Sequence, residues 1–169
     1  HLANNLPKGI WWNRVLTEGG ETIDTAQGNY PNNSIHHVPV ACQHCENPAC
    51  VKVCPVGATW KDEQTGVVRQ DYDKCIGCRM CMAACPYTGV RSFNWDEPKF
   101  AVDFAVGEAE APVHQKHVVE KCTLCVSRVA KGQDPKCVEA CPGRARFFGD
   151  LDDPNSEISQ LIREREYMQ

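Results

Sequence analysis

The chain has 169 residues and a net charge of −4. Hydrophobic residues make up 42% of it, and 12 of these hydrophobic residues are cysteines. This length predicts one domain, or one core with extensions. A negative charge without any Lys/Arg run argues against a nucleic-acid-binding surface, and no apolar run approaches the roughly 20 residues of a membrane-spanning helix. With so many cysteines among the apolar residues, we expect metal–thiolate bonds to supply part of the stability.

An N-terminal segment, residues 1–40, is predicted to be irregular because Asn, Gly and Pro recur through it. Trp11 and Trp12 interrupt this pattern. We favour the interpretation that they form an apolar cover over a small core, and the alternative is a surface beside a cofactor or a partner. Residues 34–40 alternate loosely and predict a strand that leads into the first cysteine.

Two cysteine quartets follow within residues 41–95, which we predict to form one domain. Each quartet predicts a loop, a short helical turn into its last cysteine, and then a proline that ends the helix because it lacks an N–H. Residues 58–69 between the quartets predict a β-hairpin. The spacings are C-x2-C-x4-C-x3-C-P for Cys42, Cys45, Cys50 and Cys54, and C-x2-C-x2-C-x3-C-P for Cys75, Cys78, Cys81 and Cys85.

Repetition of strand, cysteine loop, short helix and strand predicts an α+β fold: a tandem ferredoxin-like dicluster core with loop insertions and extensions. Soft thiolates in fours favour [4Fe–4S] clusters over structural zinc or a disulfide framework. The second spacing is that of bacterial ferredoxins, in which the fourth cysteine ligates the other cluster. Crossed ligation predicts cluster one on Cys42, Cys45, Cys50 and Cys85, and cluster two on Cys54, Cys75, Cys78 and Cys81.

Residues 96–117 are predicted to form an insertion loop, and a third cysteine motif follows within residues 118–150. We expect a helix over 118–131 and a strand over 145–148. A C-terminal segment, 151–169, predicts a helix over 157–166 with Asn155 or Ser156 as N-cap. The cysteines of the third motif, with eleven residues between their two halves, are Cys122, Cys125, Cys137 and Cys141.

The third quartet has no partner motif in this sequence. Either it closes on itself around one cluster, or a fourth quartet exists that the sequence lacks. Two, three or four clusters predict about 8, 12 or 16 iron atoms per chain.

Three stretches resemble the iron–sulfur electron-transfer (beta) subunits of the dimethyl-sulfoxide-reductase-type molybdoenzyme family. They are C-Q-H-C-E-N-P-A-C at 42–50, C-I-G-C-R-M-C at 75–81 and E-K-C-T-L-C at 120–125. The resemblance implies a non-catalytic subunit that relays electrons between a large molybdopterin catalytic subunit and a quinone-interacting integral membrane subunit. It places the protein at the prokaryotic cytoplasmic membrane, held there by its partners, on a side that the sequence does not indicate. A free-standing soluble multicluster ferredoxin is the alternative.

This family carries four cysteine motifs, and the resemblance implies that the first of them, upstream of Asn4–Gly9, is missing from this sequence. Its fourth cysteine would complete cluster three with Cys122, Cys125 and Cys137. Its other three cysteines would hold cluster four together with Cys141.

Three cations stand beside predicted ligands: Lys74, Arg79 and Lys121. Each either raises the reduction potential of a cluster or is an ordinary solvated charge. No catalytic constellation, phosphate-binding loop or dinucleotide-binding glycine motif is present in the sequence. The chain is therefore predicted not to be an enzyme by itself.

Overall fold

The structure, a computed structural model, describes residues 1–19, 25–87, 89–104 and 106–164. The chain divides into two compact units, His1–Thr123 and Leu124–Gln169. The boundary therefore falls inside the third cysteine motif. Single-turn helices and small antiparallel sheets make the fold α+β, as the sequence predicted.

Three two-stranded antiparallel sheets organise the first unit. They pair β1 (Asn13–Glu18) with β2 (His36–Ala41), β3 (Thr59–Lys61) with β4 (Val68–Gln70), and β5 (Arg91–Phe93) with β6 (Val119–Lys121). A 3₁₀ turn at Leu2–Asn4 opens the unit, and α1 (Ala49–Lys52) and α2 (Met80–Ala83) each lead into the last cysteine of a quartet.

The hairpin of β3 and β4 closes on a side-chain-capped turn. Asp62 Oδ1 accepts hydrogen bonds from the backbone N–H groups of Gln64 and Thr65, at 3.0 and 3.1 Å. Gly66 then adopts φ +68°, a conformation that glycine reaches without steric cost. This is the hairpin that the sequence predicted over 58–69.

A small apolar core is formed by residues of the N-terminal segment. Leu6, Ile10 and Trp12 are buried together, and Cys122 packs against them. Trp11 remains 44% exposed. The prediction of an apolar cover thus holds for Trp12, while Trp11 lies at the surface. The segment predicted to be irregular also contains β1, which the sequence did not predict because its residues do not alternate between apolar and polar.

Two local predictions are wrong. The helix expected over 118–131 is instead β6, a loop and the single turn α3 (Val126–Val129). Leu124 and Cys125 have φ values of +56° and +48°, which a right-handed helix cannot accommodate. Residues 145–148, expected to form a strand, are irregular.

The second unit contains α3, α4 (Lys136–Glu139) and α5 (Glu157–Glu164). Ser156 caps α5, since its Oγ accepts a hydrogen bond from the N–H of Ser159 at 3.3 Å. The last two residues of the predicted helix, 165–166, lie outside the described residues. Among the described residues, no helix has the length and apolar character to cross a membrane.

Candidate metal centre

Four predicted ligands from two different motifs line one cavity. It encloses about 340 Å³ of empty space, part of which is open to solvent. The thiols are half-buried and free. Cys42, Cys45 and Cys50 come from the first motif and Cys85 from the second, and these are the four ligands predicted for cluster one. The ligand set itself stays a prediction.

Among the described residues, these thiols do not form a ready-made site for a single ion. In the part of the chain that the structure describes, no three His, Cys, Asp or Glu side chains converge as they would around a single metal. The four thiols instead surround a common space that Val68 and Val90 line with apolar surface.

Cys85 reaches this cavity because α2 ends just before it. Burial raises the pKa of the Cys85 thiol, and the nearby thiols of Cys42 and Cys50 raise it further. The N–H of Tyr87 and the guanidinium of Arg91 oppose that rise. The Cys85 thiol thus lies close enough to thiols of the first motif, about 40 residues earlier in the sequence, for their charges to affect its pKa.

The ligands predicted for cluster two are brought together in part. Burial raises the pKa of the Cys81 thiol, the charge of Arg91 opposes this rise, and the thiols of Cys75, Cys50 and Cys78 add to it. Cys54, the fourth predicted ligand, interacts with the turn that follows it. Burial alone would raise the pKa of its thiol, but N–H donors from the three residues Thr59, Val56 and Ala58 lower it.

The three cations noted beside ligands have different environments. Lys74 is exposed and lies 3.4 Å from Asp71. Arg79 is exposed and stacks over the rings of Trp95 and Phe93, with its guanidinium carbon 4.6 and 5.4 Å from their centroids. Lys121 is 1% exposed, so it is no solvated charge.

Lys121 is held by backbone carbonyls. Its Nζ donates to the carbonyl oxygens of Val68 and, at 2.8 Å, of Cys122. Burial lowers the pKa of Lys121 and the charge of Arg91 lowers it further, while the thiols of Cys42, Cys122 and Cys50 oppose that shift. The ammonium group is therefore close to cysteines of both the first and the third motif.

His44 presents a buried N–H with no partner. Its Nδ1 accepts a hydrogen bond from the N–H of Val68 at 3.1 Å, so the ring proton is on Nε2. Among the described residues Nε2 is buried without an acceptor. Burial, with Lys121 and Arg91 nearby, lowers the pKa of His44 to about 3 and keeps the ring neutral. A sulfur acceptor next to the neighbouring Cys45 would satisfy this donor.

A buried acid–base network lies on the other side of β6, and the sequence reading did not find it. Glu120 is fully buried, and its two carboxylate oxygens accept from Trp12 Nε1 (3.2 Å), Asn94 Nδ2 (2.5 Å) and His114 Nδ1 (2.8 Å). His114 Nε2 faces the carbonyl oxygen of Asn4 at 3.0 Å. Both ring nitrogens face acceptors, so His114 is an imidazolium. The available signal was a glutamate directly after two valines, Val118 and Val119.

Electrostatics agree with this protonation state of His114. Burial lowers the pKa of His114, but the hydrogen bond and the charge of Glu120, together with the Asn4 carbonyl, outweigh burial and raise it. Glu120 and His114 thus neutralise each other inside the first unit.

The third motif is divided between the units. Cys122 belongs to the first unit, and the other three cysteines belong to the second. Within the second unit an ion pair of Arg128 with Glu139 joins α3 to α4. Cys141 Sγ accepts a hydrogen bond from the N–H of Ala145 at 3.3 Å. The ligand sets predicted for clusters three and four stay predictions.

Single-turn helices, small antiparallel sheets and cysteine quartets define a ferredoxin-like iron–sulfur protein. The chain belongs to the 4Fe-4S dicluster domain family, which matches it over residues 34–102 and 108–151. This confirms the resemblance seen in the sequence, and with twelve cysteines it supports several [4Fe–4S] clusters.

Relatives of the chain are named as iron–sulfur or B subunits of oxidoreductases. A candidate dimethyl sulfoxide reductase iron–sulfur B subunit of Halobacterium salinarum is 54% identical over 95% of this chain and 62% of its own length. The arsenate respiratory reductase iron–sulfur subunit ArrB of a Shewanella species is 38% identical over 98% and 80%. The sulfite dehydrogenase B subunit of Allochromatium vinosum is 43% identical over 94% and 58%. The chain thus spans about three fifths of the first and third of these relatives.

Proposed function

We propose that the chain is a non-catalytic electron-transfer subunit with tandem ferredoxin-like units. It relays electrons between a large molybdopterin catalytic subunit and a quinone-linked membrane partner, and it is held at the membrane surface through those partners. The observation that carries the proposal is the single cavity lined by four cysteines from two motifs. Membership of the dicluster family and relatives named as oxidoreductase subunits support it.

In this proposal residues 41–95 form the dicluster domain and residues 118–150 form half of a second one. Clusters one and two take the crossed ligand sets given above. The donor chemistry of the cavity fits a [4Fe–4S] group, because soft thiolates surround it and Arg91 Nη2 and His44 Nε2 are buried donors without acceptors in the described part of the chain.

A bound cluster supplies reversible one-electron chemistry. The protein's own residues hold the four thiols around one space, line it with the apolar side chains of Val68 and Val90, and place the Arg91 side chain, whose Nη2 has no acceptor among the described residues, at its wall. These are the functions expected of a protein that sets a potential and a position in a chain of carriers, while substrate conversion takes place elsewhere.

Serine substitutions test crossed ligation directly. Crossed ligation predicts that Cys85→Ser perturbs the same electron paramagnetic resonance (EPR) signal as Cys42→Ser, and that Cys54→Ser perturbs the signal altered by Cys78→Ser. Ala83→Ser, an exposed neighbour of Cys85, is the control and should leave every signal intact. If Cys85→Ser instead matches Cys78→Ser, the crossed ligand sets are wrong.

Co-purification from anaerobically grown cells of the native host tests the subunit role. A tagged full-length chain should recover a large molybdenum-containing polypeptide at one copy per chain. Recovery of a brown, dithionite-bleachable protein alone, at low and high salt, would favour the free-standing ferredoxin. A colourless zinc protein would refute both.

A further inference from the structure

Two buried cations face each other across one sheet. Arg91 and Lys121 are directly opposite in the antiparallel pair of β5 and β6. They are 5% and 1% exposed. Like charges at opposite positions destabilise a sheet, and an uncompensated buried charge is costly. An anion nearby would stabilise both cations in their charged forms.

The hydrogen bonds of the two side chains do not provide that anion. Lys121 Nζ donates to two backbone carbonyls, and Arg91 Nη1 donates to the neutral amide oxygen of Gln70 at 3.4 Å. Arg91 Nη2 is buried with no acceptor among the described residues. Across the described ranges, neither cation has a carboxylate partner.

The nearest buried carboxylate is on the opposite face of the sheet. Glu120 is next to Lys121 in β6, and side chains of successive strand residues point to opposite faces. Its charge is already matched by His114, 2.8 Å away. The net positive charge of Arg91 and Lys121 is left on the face that meets the cysteines.

That face borders the cavity of the candidate metal centre. Arg91 and Val68 both line it, together with Cys42, Cys45, Cys50 and Cys85. The carbonyl oxygen of Val68 is also an acceptor for Lys121. Four thiolates around a cluster are anionic, and among the described residues they are the countercharge that lies on this face of the sheet.

We propose that Arg91 and Lys121 are the built-in countercharge of cluster one and raise its reduction potential, with Arg91 Nη2 donating an N–H to a sulfur at that site. The inference rests on the proposed function. One-electron reduction adds negative charge to the group, so fixed buried cations stabilise the reduced form more than the oxidised form. Arg91 is the more direct of the two, since it lines the cavity itself.

The test is an EPR-monitored redox titration of the full-length, cluster-loaded protein under anaerobic conditions. The signal of cluster one is identified by its change in Cys42→Ser. At a fixed ambient potential, Arg91→Gln should lower the reduced-to-oxidised ratio of that signal about tenfold, which for a one-electron couple is about 59 mV. Lys121→Gln should lower it in the same direction, and Arg91→Lys should retain most of the wild-type ratio.

Arg79→Gln is the matched control. It also removes a cation next to a predicted ligand, but Arg79 is exposed and stacked on Trp95. Its effect on the cluster one signal should be well below that of Arg91→Gln, because solvent screens an exposed charge.

The outcomes separate this inference from the proposed function. Absence of iron, sulfide and EPR signals in the wild-type protein would refute the proposed function. Intact clusters whose potential is unchanged in Arg91→Gln and Lys121→Gln would overturn the inference and leave the function standing. If Arg91→Gln fails to assemble cluster one, the other two variants decide. An unshifted potential in Lys121→Gln overturns the inference. A lowered potential in Lys121→Gln together with a nearly wild-type potential in Arg91→Lys supports it.

Discussion

Replacing Glu120 with glutamine tests the buried network of the first unit. The substitution keeps the shape of the side chain but removes its charge and turns one acceptor oxygen into an NH₂ donor. Oε1 accepts from Asn94 and His114, and Oε2 accepts from Trp12 and His114. Neither orientation of the amide can therefore satisfy its surroundings.

The size of the effect follows from the burial of both partners. Side chains of Glu120 and His114 are 0% and 1% exposed. Removing one member of a buried pair costs about 3–5 kcal/mol. With a guanidinium m-value of about 4 kcal/mol per molar, the unfolding midpoint should fall by about 1 M.

Glu97→Gln is the matched control for this experiment. Glu97 is 78% exposed and lies 4.0 Å from Lys116, so the same chemical change should alter stability by less than about 0.5 kcal/mol. Unfolding is followed anaerobically by circular dichroism and by absorption near 400 nm. Variants are compared at equal cluster content and incubation time, because metal binding is coupled to folding. A midpoint for Glu120→Gln that matches Glu97→Gln would refute the assignment of a buried ion pair.

Three further predictions concern local features. Gly77→Ala should destabilise the chain by about 2 kcal/mol or more, whereas Gly57→Ala should cost about 1 kcal/mol. Both glycines have positive φ, but only a Cβ added at Gly77 would meet backbone and, at 3.2 Å, the Phe93 ring. Chemical denaturation measures the free energy of unfolding of both variants. Ser156→Ala should cost about 1 kcal/mol through loss of the α5 cap, measured as helicity and thermal midpoint. Glu120 raises the pKa of His114 despite burial. Their pair therefore stabilises the folded state fully below about pH 6.5, the pKa of an unfolded histidine, and stabilises it less as pH rises through the raised pKa of His114. The thermal midpoint should fall over this pH range in the wild type but not in His114→Gln.

Local chemistry made part of this fold readable in advance. The single turns α1 and α2 lie where cysteine spacing and the following proline predicted helices, since a proline ends a helix whatever the tertiary context. The hairpin of β3 and β4 was equally readable from its glycine-terminated turn. In both cases the determinants lie within a few residues of one another.

The helix predicted over 118–131 does not form because its structure is determined by residues distant in the sequence. Its residues have acceptable helix propensity, but Val118 and Val119 are buried and β6 pairs with β5, a strand almost 30 positions earlier in the sequence. Tertiary pairing overrode propensity. The left-handed conformations at Leu124 and Cys125 then release the chain from the strand.

The environment of Arg91 could not be predicted from the sequence. In the sequence it is a single cation between Val90 and Ser92, with no cysteine nearby except Cys85. Its relation to Lys121 exists only through the register of β5 with β6, and its relation to the thiols exists only through the cavity. Neither can be derived from spacing.

The alternation of β6 connects these observations in one physical argument. Glu120 directs a negative charge toward the N-terminal segment, where the His114 imidazolium and Trp12 N–H neutralise and solvate it. Lys121, one residue later, directs a positive charge toward the cysteines; its hydrogen bonds in the described part of the chain go to neutral carbonyls, and Arg91 lies opposite it in the sheet. A protein that neutralises one buried charge so completely has the means to neutralise the other. That the second face is left cationic is therefore best explained by an anionic group that completes it, and the redox titration of Arg91→Gln and Lys121→Gln measures the interaction directly.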